Sequence, residues 1–126
     1  MTIIGEGKTP LTFTSRPDIA RFVSYILTHL SPTSLHNVAL RIEGDKLSFV
    51  QVAQEMEKVF GKPFEVIVRP AAEVEEDAKS GGHKAWVAQV GLGLDKGWAD
   101  VGIADNKLVP GFKAETVGEA LRKYYI

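Results

Sequence analysis

The stretch Asn37-Val-Ala-Leu-Arg-Ile-Glu-Gly44-Asp-Lys-Leu-Ser48-Phe-Val-Gln51-Val-Ala-Gln-Glu-Met-Glu-Lys-Val-Phe-Gly61 changes its hydrophobic period partway along. Val38, Leu40 and Ile42 alternate with Ala39, Arg41 and Glu43, the period of two that predicts a strand with one better-buried face. Gly44-Asp45 breaks the pattern. Ser48 with Gln51 three residues on then reads as a capping box, the hydroxyl accepting an early helical N–H while the amide reaches back to the cap's own N–H. Phe49, Val52, Ala53, Met56 and Phe60 follow at helical spacing, with Gln54, Glu55, Glu57 and Lys58 largely off that stripe. Gly61 supplies the left-handed residue past the helix end, and Pro63 prevents continuation. A strand over Phe64 to Arg69 would complete half of a βαβ layer, which needs partners on its other face.

Toward the N-terminus, Thr2 to Gly7 is short and apolar, Gly5-Glu-Gly-Lys8 makes a turn, and Leu11 and Phe13 mark a second short strand after Pro10. Ser15-Arg16-Pro17-Asp18 is a helix start, with Ser15 as cap, Asp18 in the box position and Pro17 where its missing N–H costs nothing. Ile19, Phe22, Val23, Ile26, Leu27 and Leu30 keep i, i+3, i+4 spacing. That is the strongest amphipathic pattern in the chain, and its stripe is expected to be the main core contributor. Ser31-Pro32-Thr33-Ser34 ends it.

Toward the C-terminus, Pro70 opens a short helix over Ala71 to Lys79, whose acidic first turn suits the positive helix end. After Ser80-Gly81-Gly82 comes a weaker helical pattern from His83 to about Asp95, with Trp86, Val87, Val90 and Leu94 on one side. Gly91 and Gly93 each cost it about 1 kcal/mol relative to Ala. Gly97 to Phe112 reads as loop, and Thr116 with Glu119 is a further capping box before a terminal helix ending near Tyr125. The expected class is α/β, a small sheet with about four to five helices, in one domain over residues 1–126.

The 126 residues are 44% hydrophobic and 25% charged, which excludes disorder as the organising state. With 15 basic and 16 acidic side chains the net charge is −1, without the clustered Lys and Arg that a nucleic-acid partner requires. There is no cysteine, hence no thiol nucleophile, thiolate metal site or disulfide framework, as expected of a cytoplasmic protein. No window approaches the roughly 20 apolar residues that span a bilayer, and Met1 to Gly7 lacks the features of a signal peptide.

Gly5-Glu-Gly7-Lys8-Thr9 ends like a phosphate-binding loop, but Thr2 stands where that motif needs its first Gly, and Pro10 with a strand follows where it needs a helix. It reads as a turn. Gly91-Leu-Gly93 has Lys96 where a dinucleotide fingerprint needs its third Gly. His29, His36 and His83 never fall at zinc-ligand spacing, and His29 suits the negative end of its helix. Glu73, Glu75, Glu76 and Asp77 read as a solvated face rather than an acid–base pair, which needs one carboxyl in an apolar pocket. Trp86 and Trp98 either line a ligand pocket or fill core, and core is the favoured reading.

Gly5-x-Gly7, Thr12-Phe13-Thr14-Ser15-Arg16-x-Asp18-Ile19-Ala20-Arg21, Arg41-Ile42-Glu43-Gly44-Asp45-x-x-Ser48-Phe49 and Gly61-Lys62 occur in that order. They are followed by Asp105-Asn106, Pro110-Gly111-Phe112-Lys113 and Thr116-Val117-Gly118-Glu119-Ala120-Leu121. This set resembles the C-terminal, substrate-side part of fungal NmrA-like proteins, atypical members of the short-chain dehydrogenase/reductase superfamily close to the isoflavone-reductase-like group. The resemblance covers nearly the whole chain. The Gly-rich dinucleotide-binding half of such proteins has no counterpart in the sequence, and their Tyr-x-x-x-Lys pair is missing, since His29 stands four residues after Tyr25.

The resemblance therefore implies the architecture of a substrate-side half and assigns no catalytic, cofactor-binding or metal-binding residue. The expected function is binding of a small molecule or a protein partner without redox activity and without a cofactor. The alternative is an enzyme or enzyme subunit, either an oxidoreductase fragment or non-redox chemistry in a retained pocket. A half that elsewhere packs on a nucleotide-binding domain should keep apolar surface and strand edges, which predicts a homodimer.

Overall fold

A computed structural model describes residues 1–126. In chain order its elements are β1 (Thr2–Ile4), β2 (Leu11–Phe13), α1 (Arg16–His29), a 3-10 turn (Pro32–Leu35), β3 (Asp45–Leu47), α2 (Phe49–Phe60), β4 (Ile67–Arg69), α3 (Ala71–Lys79), α4 (Gly82–Asp95), a second 3-10 turn (Asn106–Leu108) and α5 (Val117–Tyr125). This is the expected α/β class with five helices. The strands form two small sheets, β1 with β4 and β2 with β3. No helix is long and apolar enough to cross a membrane.

The helix starts form where short polar side chains can take the orphan N–H groups of a first turn. Ser15 Oγ accepts from the Asp18 N–H (3.2 Å). At α2 the box is reciprocal, the Ser48 N–H donating to Gln51 Oε1 (2.8 Å) and the Gln51 N–H to Ser48 Oγ (3.3 Å). At α5 the Thr116 N–H donates to Glu119 Oε2 (2.8 Å) and the Glu119 N–H to Thr116 Oγ1 (3.2 Å). Gly61 ends α2 at φ 65°, the left-handed conformation for which Gly has no Cβ penalty.

The chain packs as two units, Met1–Leu11 with Leu47–Asp100 and Thr12–Lys46 with Val101–Ile126. In the first, β1 and β4 run parallel with Thr2 beside Ile67, Ile3 beside Val68 and Ile4 beside Arg69. Ile3 and Val74 are its most deeply buried side chains, and Leu11, Ala53, Ala85 and Ala88 are buried with them. α4 runs unbroken through Gly91 and Gly93, and both positions admit a neighbour. A Cβ at Gly91 would lie 2.1 Å from Ile4 Cδ1, and one at Gly93 2.1 Å from Trp98 Cε3. The small side of α4 thus faces inward and Trp86, Val87 and Val90 face out, the reverse of the expected burial. Neither tryptophan fills core: Trp86 is 61% exposed and Trp98 74%.

In the second unit, Phe22, Ile26 and Val109 form the buried cluster, with Tyr25, Leu30, Leu35, Leu40, Ile42, Leu108 and Phe112 packed around it. Of the six residues of the α1 stripe only Phe22 and Ile26 are buried and Leu30 is half-buried, while Ile19, Val23 and Leu27 are exposed.

The strand expected over Val38–Ile42 is absent, and the segment pairs with no strand. Its backbone groups are taken instead by the 105–106 loop. The Arg41 N–H donates to Asp105 Oδ2 (2.8 Å) and the Glu43 N–H to Asn106 Oδ1 (3.0 Å), while the Arg41 carbonyl accepts from the Asp105 N–H (2.7 Å). A strand forms after the break instead, at Asp45–Leu47, and Gly44 is needed because a Cβ there would lie 2.4 Å from the Phe13 carbonyl oxygen. The βαβ expectation also fails in detail. The strands flanking α2, β3 and β4, belong to different sheets, and β4 is shorter than Phe64 to Arg69.

A candidate apolar groove beside the first helix

The exposed side of α1 and the 38–42 segment build one surface. α1 has 3.6 residues per turn, so Phe22 and Ile26 point into the cluster while Val23 and Leu27, one position on, sit at its rim. Leu30 ends the helix in an extended conformation, and Ser31 caps the 3-10 turn by accepting from the Ser34 N–H (3.2 Å), which places Leu35 against the cluster. Asn37 then adopts φ 53°, a left-handed conformation that Asn tolerates better than most residues, and turns the chain back. From there Val38, Leu40 and Ile42 all line the same groove.

The result is a groove of about 300 Å³ lined by Phe22, Val23, Ile26, Leu27, Leu35, Val38, Leu40 and Ile42. Every lining residue is apolar. Such a surface can hold an apolar ligand through desolvation, and it offers no nucleophile, acid or base to act on one.

Asp18, Asp77, Glu115 and Lys123 are each held in the charged form by their partners. Asp18 is fully buried, and burial alone would raise its pKa. Hydrogen bonds from Arg21, from the Glu115 N–H and from Ser15 outweigh that and hold the carboxyl below its ordinary value. The Lys123 ammonium lowers the Glu115 pKa and is itself raised by that carboxylate. Lys84 and Arg69 lower Asp77, to which they donate at 2.7 and 2.9 Å. An acid or base working near neutral pH needs the opposite displacement. These are structural ion pairs, and the buried Asp18 among them was legible in sequence only as a capping residue.

The residues weighed for chemistry are scattered. Lys8 pairs with Glu6 (3.1 Å) in the exposed turn after β1. The ring of His29 stacks on that of Tyr25 with centroids 4.0 Å apart, and its Nδ1–H donates to the Tyr25 carbonyl (3.1 Å), closing the last turn of α1. His83 stacks on Trp86 (5.9 Å) at the start of α4. No three His, Cys, Asp or Glu side chains gather as a metal site would require. Within the 73–77 segment, Val74 is buried and Asp77 is ion-paired, which explains that helix structurally. Trp86 and Trp98, with Gln89, Val90 and Lys96, line a second groove of about 430 Å³ in the first unit.

The chain superposes on isoflavone reductase with a TM-score of 0.78 at 20% identity, over 98% of its own length and 43% of that protein. Leucoanthocyanidin reductase from Vitis vinifera in its binary complex with NADPH gives 0.70 at 18% identity, over 98% and 44%. A new type of NADPH-dependent quinone oxidoreductase from Escherichia coli gives 0.64 at 18% identity, over 99% and 46%. The chain therefore spans less than half the length of these proteins. At such identities the likeness is one of fold, and the chain has part of the isoflavone-reductase-like fold. No protein-family model matches it, and no curated protein matches it.

Proposed function

We propose that residues 1–126 form a single domain of the NmrA-like C-terminal type that binds an apolar small molecule in the cytoplasm without redox chemistry of its own. The observation that carries this reading is the groove between α1 and the 38–42 segment, whose eight lining residues are all apolar. A pocket of a few hundred Å³ is the size that takes a small ligand. The fold shared with reductases supports the family origin, and the missing Tyr-x-x-x-Lys pair supports the absence of redox chemistry. Titration with an uncharged apolar dye tests it. One saturable site per chain is expected, lost in Leu27→Asp with the unfolding midpoint unchanged because Leu27 is 69% exposed. Undiminished binding by that variant overturns the assignment of the groove.

A second reading is favoured by the neighbours themselves. The quinone oxidoreductase is NADPH-dependent, and the chain covers 46% of it, as a substrate-side half working with a nucleotide-binding half would. NADPH titration of this chain alone tests the first reading. The first expects no binding, because no helix N-terminus carries a phosphate-cradling loop; tight binding would favour an enzyme.

A further inference from the structure

β4 has one partner strand and two uncovered faces. The Ile67 N–H donates to the Met1 carbonyl (2.8 Å), and the Arg69 carbonyl accepts from the Gly5 N–H (3.0 Å), so the odd-numbered residues direct their backbone toward β1. Alternation then turns the N–H and C=O of Val66 and Val68 to the free edge, where the two-stranded sheet offers no acceptor or donor. The next donors on that edge are already removed. The Phe64 N–H is taken by Glu57 Oε1 (3.0 Å), and residue 70 is proline. Ile67 is 50% exposed and Val68 56%, on opposite faces, whereas parallel sheets are ordinarily covered on both sides.

We propose that a second copy of the chain occupies this edge by antiparallel pairing of β4 with β4 of its partner about a two-fold axis through Ile67. This proposal is independent of the ligand groove, which lies in the other unit. The local sequence Glu65-Val-Ile-Val-Arg69 is self-complementary under that operation. Ile67 meets Ile67 of the other copy, Val66 meets Val68, and Glu65 meets Arg69 at both ends. Val66 and Val68 are the residues with outward backbone groups, so this register satisfies both of them in each copy. Centring on Val68 instead would set Val66 against Pro70, which has no N–H, and centring on Val66 would set Val68 against Phe64, whose N–H is already taken by Glu57. Both alternatives lose the charge pairing. Arg69 is already steadied by Asp77 (2.9 Å) and keeps further donors for a carboxylate across the interface, while Glu65 is exposed. An isologous contact of this kind closes at two copies and removes an edge that would otherwise template aggregation.

The test exploits the absence of cysteine. Sedimentation of the full chain at micromolar concentration should give twice 13.8 kDa. Glu65→Arg, which sets like charges opposite one another at both ends, should weaken the dimer about tenfold or more, with the circular dichroism spectrum retained. Under mild oxidation Ile67→Cys should form a disulfide dimer much faster than Val68→Cys. Opposed residues at a non-hydrogen-bonded antiparallel pair have Cα atoms about 4.5 Å apart, within disulfide range, whereas the two copies of residue 68 are diagonal. A wild-type monomer, a dimer indifferent to Glu65→Arg, or equal cross-linking at 67 and 68 would each overturn the proposal.

Discussion

The Asp18 carboxylate accepts the backbone N–H of Glu115 through Oδ2 at 2.8 Å, tying the first turn of α1 to the residue before the α5 cap, 97 positions away. Its other oxygen takes the Arg21 guanidinium, which also donates to the Lys113 carbonyl (2.9 Å). One carboxylate thus serves an N–H, a cation and the side chain of the cap residue Ser15 together. Removing it leaves the N–H and the guanidinium without their acceptor. Asp18→Ala should therefore cost about 1–3 kcal/mol by urea denaturation, more than loss of an exposed capping group alone. A loss under about 0.5 kcal/mol would mean that water replaces the carboxylate at little cost.

The same residue fixes an acid limb. Because its native pKa lies below the ordinary 3.8, the bonds to Asp18 contribute fully above that ordinary value and are lost as pH falls through the lowered one. The stability gap between wild type and Asp18→Asn should hold constant from neutral pH to about pH 5 and close below about pH 4. Equilibrium unfolding across that range checks it. A gap that widens on acidification would reverse the sign of the linkage.

Local chemistry was legible in the sequence where one residue's neighbours decide it. Ser48 with Gln51, Thr116 with Glu119, and Gly61 each form the expected cap, because the partners lie within three or four residues. What covers a face was not legible. Periodicity shows that Val23 and Leu27 share a side of α1 with Phe22 and Ile26, but whether a neighbour reaches them depends on the 38–42 segment. That segment in turn follows the distant side chains of Asp105 and Asn106. The groove arises from those long-range choices, so no motif announced it. Conversely, Gly91 and Gly93, read as weaknesses in a helix, are places where Ile4 and Trp98 approach it.

Ile26 and Leu27 make the distinction measurable, being adjacent in sequence and opposite in environment. Ile26 is 4% exposed beside Phe22 and Val109. Its truncation to Ala should cost about 2–5 kcal/mol through lost transfer energy and a residual cavity. Leu27→Ala should change the unfolding free energy by no more than about 0.5 kcal/mol. Equal losses would mean that the outer half of the stripe is covered in solution.

Gly93 and Trp98 form a pair that a double-mutant cycle can separate. The Trp98 N–H donates to the Gly93 carbonyl (3.0 Å), and its ring lies where a Cβ on Gly93 would be. In the wild-type background Gly93→Ala gains helix propensity but must swing the ring aside, so the two effects oppose each other and the net change should be small or destabilising. With Trp98 already replaced by Ala the clash is gone, and the same substitution should stabilise by about 1 kcal/mol, the intrinsic difference between Gly and Ala in a helix interior. The coupling between the two positions is then the energy of ring placement on α4. Emission spectra offer an independent reading, since Trp86 and Trp98 are the only two tryptophans. Gly93→Ala should alter the emission in the wild-type background and leave that of the Trp98→Ala variant unchanged. A substitution that stabilises equally in both backgrounds would show that the ring does not rest on Gly93.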